Sequence, residues 1–308
     1  MKARVKVPAS TSNLGAGFDC VGVAVDRWLS ASVEVSDNAH VEHVTVIRSG
    51  AVANLPETAE DDLLHLGFRL ACRSRSQPVP KRVDYQVTST IPVARGLGAS
   101  AAALIAGAML ANESLGLELS REEIAALCSS EEGHPDNIGP AVFGGAVLSV
   151  NTGHGSRNEY AFSPLRIHPE IALVFSVPGL EIETSAMRAV LPANLPYRTT
   201  IAAIAKAAAL VDGLASGDAK LLAYALDDVV HVPFRRELIP GYDSVVGAAI
   251  SAGAFGATLS GSGSTIVAVA PINIASRVGS AMATAWKNVN QTAEVIVGAQ
   301  SVEGASPA

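Results

Sequence analysis

The 308-residue chain is short of cysteine, of aromatic rings and of charge. Cys20, Cys72 and Cys128 are odd in number, far apart and without a C-x-x-C spacing, which argues against a disulfide framework and for a reduced, cytoplasmic setting. Aromatics are 5% and charged residues 17% against 49% hydrophobic. Such a chain is too apolar for disorder, and its many Ala and Val residues favour helices packed closely on sheets. Positive charge is in deficit: a net charge of −7 disfavours nucleic acid or a membrane as partner. An anionic ligand must therefore find a local positive site. The longest apolar run, Ala101 to Ala111, is too short to cross a bilayer, and Met1 to Pro8 alternates like a strand, unlike a signal peptide. There is no G-x-x-x-x-G-K-[ST], no long repeat and no His/Cys spacing suited to zinc.

What is present centres on Pro92-Val93-Ala94-Arg95-Gly96-Leu97-Gly98-Ala99-Ser100-Ala101-Ala102. A polar strand, 82–90, enters it, and an Ala-rich helix, 99–115, leaves it and ends at Gly116. Free amides at a helix start, with glycines in front that let an anion approach the backbone, form a phosphate cradle. Ser100 adds a hydroxyl for a phosphate-bound cation. By spacing alone Gly96-x-Gly98-x-x-Ala101 also fits a dinucleotide fingerprint, and a plain glycine turn capping a core helix is the bland alternative.

Along the chain, strands are expected at 3–7, 21–25, 31–36 and 42–48, with a glycine-rich loop over Pro8–Phe18. A helix is expected over 61–73, with Asp61-Asp62 at its start, and a capping box at Ser120–Glu123 opens another. A polar knot follows at 131–137 and a turn-rich hairpin tip at 151–160. The second half predicts a strand at 171–177, helices at 197–215, 218–229 and 242–252, strands at 255–260 and 265–269, a helix at 274–287 and a strand at 292–297. An α+β class in two domains is expected: 1–162, carrying the phosphate loop 92–102, and 163–300, carrying a second glycine loop within 256–264, with a frayed tail at 301–308.

Three stretches, Pro8–Asp19, Pro92–Ala103 and Gly256–Ser264, resemble in order and spacing the three motifs of the GHMP (galactokinase, homoserine, mevalonate, phosphomevalonate) kinase superfamily. The middle motif, P-x-x-x-G-L-G-S-S-A-A, departs at one place, where Ala99 stands for the first serine. Within the superfamily the homoserine kinases are the nearest resemblance. It is carried by Val7–Asp19 (VPASTSNLGAGFD), Glu132–Asn137 (EGHPDN), Thr184-x-x-x-Arg188 with Leu191-Pro192, and His231-x-Pro233-Phe234-Arg235 before Pro240-Gly241. The resemblance implies a ribosomal-protein-S5-domain-2-like first domain and a ferredoxin-like second. It also implies transfer of the ATP γ-phosphoryl group to the hydroxyl of L-homoserine, on the route to threonine.

By the same resemblance the triphosphate lies on residues 92–102 with Gly261 and Gly263, and Mg²⁺ on Ser100 and Glu132, Glu131 being the alternative carboxylate. Asp19 would meet the substrate ammonium and Arg235 its carboxylate, with Arg188 on that carboxylate or on the transferring phosphate. Asn13 and Asn137 would serve the polar ends and the reacting hydroxyl. Because Asn137 stands where other superfamily members place an aspartate base, no dedicated base is expected, and the proton leaves late; Asp136 remains the alternative. His134 and His231 are expected to order loops, and Cys20 to pack. A mevalonate-type kinase and a non-catalytic nucleotide-binding regulator are the competing readings, and a homodimer is left open.

Overall fold

In a computed structural model of the protein, residues 1–36, 43–55, 62–153, 159–298 and 301–308 are described. The first sheet grows from β1 (Lys2–Asn13), which turns back into the long β2 (Gly17–Ser36). β3 (His43–Gly50) follows, and α1 (Leu63–Ser74) carries the chain over to β4 (Arg82–Ser89), parallel to β3 as such a crossover allows. β2 pairs antiparallel with β1, then with β4 along Leu29–Ser36 and with β5 (Ala146–Asn151) along Val21–Val23. Asp62 caps α1 through the amides of Leu64 and His65. Asp61 and the hairpin tip at 154–158 lie outside the described residues.

α2 (Ala99–Leu115) is apolar all round and runs through the core, as such a helix must. α3 (Arg121–Glu132) opens on the expected Ser120/Glu123 capping box, and α4 (Ile138–Phe143) leads to β5 and its partner β6 (Tyr160–Leu165). β6, paired with β5 in the first sheet, continues through residue 162 to Leu165.

The second sheet is built from β7 (Ile171–Pro178), followed by α5 (Thr184–Ala189), α6 (Tyr197–Ser216), α7 (Ala219–Leu226), α8 (Val232–Arg235) and α9 (Tyr242–Ser251). β8 (Gly256–Leu259), β9 (Ile266–Pro271), α10 (Ala275–Asn288) and β10 (Ala293–Gly298) complete it. Its spatial order is β10-β7-β9-β8, that is fourth, first, third, second: the ferredoxin-like arrangement expected from the resemblance. α6 is long and apolar enough to cross a membrane by length and composition alone. One apolar cluster joins both units, running from Val5 and Phe68 through Leu104 to Phe175, Leu210 and Leu222.

Two expectations need correction. Pro8–Phe18 is not one loop. Backbone pairing with β2 continues to Asn13, because Ser10, Thr11 and Ser12 find buried partners in an extended chain, and only Leu14–Ala16 turn. The tail is not frayed. β11 (Ser306–Pro307) adds to the β1 edge at Val5 and Lys6, and Ala305 is buried with its amide on Ala141 O at 2.8 Å. An unpaired sheet edge offers backbone groups that this tail satisfies. Gly304 makes the close approach, since a Cβ there would lie 2.3 Å from Val142 O.

Candidate active site

Three stretches far apart in sequence are tied together by backbone bonds. Ser10 N donates to Leu97 O at 3.2 Å, Gly261 N to Ser12 O at 3.0 Å, and Thr265 N to Arg95 O at 3.2 Å. Ser260 Oγ donates to Gly96 O at 2.6 Å and accepts from the Thr11 hydroxyl at 2.8 Å. Gly96 has φ +72°, and a Cβ there would sit 2.1 Å from Ser260 O, so the phosphate loop and the third motif approach as only glycine permits. Gly98, with φ +68°, precedes α2 and leaves the helix start without a side-chain cap. Arg95 fastens this loop to the second domain: Nε donates to Pro178 O at 2.9 Å and Nη2 to Gly179 O at 3.1 Å. The guanidinium is therefore a strut, and only the Arg95 backbone belongs to the cradle.

A cavity of about 620 Å³ opens over this junction. Residues 92–100 line it, as do Asn13, Asp19, Glu132, Asn137, Arg188, Arg235 and Gly261. Ala101 and Ala102 are fully buried and do not line it; the Ala102 amide is spent on Gly98 O at 3.0 Å. Gly263 does not line it either: it stands behind the loop, against Ile239. These three, expected in the cradle, support it from behind, because the helix and the hairpin have already turned inward there.

At the α2 mouth Ser100 Oγ donates to Glu132 Oε1 at 2.5 Å, so the two oxygens assigned to a cation are neighbours. Glu131 does not line the cavity. Asn137 Oδ1 accepts from Ser10 at 3.0 Å and its Nδ2 donates to Ser12 at 3.1 Å, which fixes the amide from both sides. Asn13 also turns inward: Nδ2 donates to Gly261 O at 2.9 Å, and Oδ1 accepts from the Asp19 amide at 2.9 Å. It positions Asp19 rather than offering free atoms of its own. Asp19 and Arg188 form a two-pronged pair at 2.9 and 3.3 Å, with both side chains more than a third exposed.

Arg235 is almost wholly buried. Its Nε donates to Met187 O at 3.0 Å and its Nη1 to His231 Nδ1 at 3.2 Å, which leaves Nη2 for a ligand. Because a guanidinium only donates, His231 Nδ1 must accept; the ring proton sits on Nε2 and points at Gly15 O, 3.2 Å away. Burial pushes the His231 pKa down to about 4, so the ring stays neutral beneath the arginine. Burial, with the Arg188 charge second, lowers the Arg235 pKa to about 10. Phe18 stacks on His231 with ring centroids 4.7 Å apart and carries both guanidinium groups over its face, at 5.2 Å for Arg235 and 5.9 Å for Arg188. Burial, then the charges of Asp136 and Asp19, raises the Cys20 thiol to about 11, so it is no nucleophile. Burial alone would lower the pKa of His134, but its 2.9 Å bond to Asp136 and the nearby carboxylates raise it.

Sequence reasoning missed several lining residues. Thr184 bonds Ser262 at 3.2 Å beside the cavity, and Arg48 pairs with Asp62 along an apolar stretch that includes Val46, Val52 and Leu63. Thr184 carried a signal, as the first letter of the T-x-x-x-R stretch. Arg48 carried none, because on an alternating strand it reads as a solvated side chain.

Residues 60–145 match the GHMP kinases N terminal domain family, and residues 210–288 match GHMP kinases C terminal. The chain is 36% identical over 303 residues to a homoserine kinase of Synechococcus sp., covering 98% of this chain and 97% of that protein. It is 40% identical over 285 residues to the homoserine kinase of Gloeobacter violaceus, covering 92% and 93%. Among solved structures, homoserine kinase from Cytophaga hutchinsonii superposes with a TM-score of 0.87 at 27% identity, covering 100% of this chain and 97% of that one. With both family domains present and this identity spread over nearly its whole length, the chain belongs to the homoserine kinase family of the GHMP kinases.

Proposed function

We propose that the protein transfers the γ-phosphoryl group of ATP to the side-chain hydroxyl of L-homoserine, giving O-phospho-L-homoserine and ADP on the route to threonine. One observation carries the reading: a single cavity holds an anion cradle at one place and, beside it, an acid and two guanidinium groups drawn from three separate stretches of chain. Phosphoryl transfer asks mainly for positioning and charge stabilisation, and these residues offer both.

The free amides at the start of α2 and the loop 92–98 hold the phosphates. The apolar stretch beside Arg48 and Asp62 takes the adenine. Ser100 and Glu132 fit Mg²⁺, a hard cation that keeps waters and shares phosphate oxygens. Bound there, the ion would neutralise charge on the β- and γ-phosphates.

Asp19 receives the homoserine ammonium, and Arg235 Nη2 its carboxylate. Arg188, whose fork rests on Asp19, would leave that pair to meet the transferring group. The substrate oxygen then attacks γ-phosphorus as the bond to the ADP oxygen breaks. The hydroxyl proton passes late to the transferred phosphate or to solvent, for Asn137 is no base and Asp136 is held by His134.

The test is ADP release with L-homoserine, L-serine, mevalonate and a hexose offered in parallel. L-homoserine should give the highest kcat/KM by at least ~100-fold. Turnover of mevalonate in preference to homoserine would reject the substrate assignment. ATP binding without turnover of any acceptor would favour a regulator.

A further inference from the structure

α5 brings Arg188 to the cavity, yet it is lightly held. Of its six residues only Met187 is buried, and no side chain caps its start. None of residues 189–196, which follow it, is buried either. A helix of under two turns does not hold itself, so its place is set by the segment that leads in, 178–183. There one guanidinium makes three of the bonds. Arg95 reaches out of the phosphate loop: Nε donates to Pro178 O at 2.9 Å, and Nη2 to Gly179 O at 3.1 Å and to Glu181 Oε1 at 3.2 Å. Around it Ile182 N donates to Ala94 O at 3.2 Å, Gly179 N to Thr292 O at 3.1 Å, and Ser264 Oγ to Leu180 O. The remaining nitrogen of Arg95 is spent too, since Nη1 donates to Val93 O at 3.3 Å. Every guanidinium nitrogen thus has a protein oxygen, in a side chain only 14% exposed, and a phosphate arriving on the loop would find the fork already used. The loop does not need that side chain in return. Its backbone is held by Thr265 N on Arg95 O, Ser260 Oγ on Gly96 O and Ser10 N on Leu97 O.

We propose that Arg95 is a positioning residue for Arg188. The backbone of residue 95 serves the nucleotide, and its side chain serves the acceptor side by fixing the segment from which α5 hangs. Resting on the proposed function, this gives Arg95 a part in the transfer step: with the segment loose, Arg188 moves with α5 and meets the transferring group out of place. Glu181 is 72% exposed, so its pairing adds little, and the two carbonyls carry the hold. A planar fork meets both carbonyls from one rigid plane, whereas a lysine head on a similar stem is a single point.

Arg95→Met keeps an apolar stem and removes the donors. It should lower kcat with homoserine ~10-fold while the KM for ATP stays within ~2-fold. In an Arg188→Met background the same change should lower kcat by less than ~2-fold, since the residue it acts through is gone. Hydrogen exchange needs no turnover: the amides of Ile182, Met187 and Leu191 should exchange at least ~5-fold faster in Arg95→Met, with those of α2 within ~2-fold of native. Arg95→Lys should fall between the two, and it carries the test if Arg95→Met fails to fold. A raised KM for ATP with unchanged kcat would make Arg95 a phosphate ligand and overturn the proposal. So would additive losses of kcat in the double variant, or exchange unchanged around α5 or quickened alike in α2. A native chain that ignores homoserine would defeat the proposed function instead, and the exchange result would still decide whether Arg95 places α5.

Discussion

Arg235 shows how one side chain comes to be both buried and useful. Desolvation is costly for a guanidinium, and here Met187 O, Gly261 O and a neutral His231 absorb its inner donors. Arg235→Leu should raise the KM for homoserine ~10-fold or more while the KM for ATP moves less than ~2-fold; steady-state kinetics decide it, and an unchanged homoserine KM removes the residue from the substrate site. His231 makes stability depend on pH. Folding lowers its proton affinity, so the unfolded chain binds the extra proton between pH ~6.5 and ~4. Stability is whole above pH ~6.5, falls as pH drops through that window, and levels off below it. His134, shifted the other way, opposes part of this. Urea midpoints at pH 7 and 5 should therefore differ by less in His231→Asn than in the native chain. At the proposed cation site, Ser100→Ala should lower kcat ~100-fold and leave the homoserine KM within ~2-fold. Chelation should abolish turnover and added Mg²⁺ restore it. A fully active Ser100→Ala enzyme would take the hydroxyl out of the cation site.

Elements built from periodicity were readable in advance, and those built from tertiary pairing were not. The 99–115 helix with its C-terminal glycine, the Ser120 capping box, and the alternation of strands and helices after residue 171 all follow from local chemistry. The end of β1 did not: Ser10-Thr11-Ser12 is polar and reads as loop, yet Asn137, Ser260 and Gly261 supply the partners that bury it as strand. The tail likewise lacks any local signal, since a two-residue strand exists only because β1 has an open edge. The motif letters pointed to Ser100, Glu132, Asp19, Arg188 and Arg235, which line one cavity, but not to which atoms of Asn13 are already spent. Gly96→Ala should cripple turnover and lower stability by ~1–3 kcal/mol, because the added carbon meets Ser260 O and the backbone is left-handed; a native-like melting curve would contradict the close approach. Removing residues 302–308 should lower the melting temperature by several degrees, ~2 kcal/mol for the lost backbone bonds and buried Ala305.

For the molecule as a whole, the two sheets are less separate than two domains suggest. A common apolar cluster runs between them, and Arg95, Asn13, Ser260, Arg188 and His231 each cross from one to the other around the cavity. The cavity draws on both halves: residues 92–100 and Asp19 come from the first, and Arg188, Arg235 and Gly261 from the second. Ligand filling the cavity should stabilise the whole chain, by ~2.7 kcal/mol when ATP stands at ~100 times its Kd. On the proposed function these halves meet to carry a phosphoryl group from a nucleotide to an amino-acid alcohol. Phosphorus NMR of the protein with ATP, Mg²⁺ and L-homoserine tests it most directly. The predicted result is one new phosphomonoester, coupled to the side-chain methylene of homoserine and formed mole for mole with ADP; ADP accompanied only by inorganic phosphate, or no reaction, would contradict it.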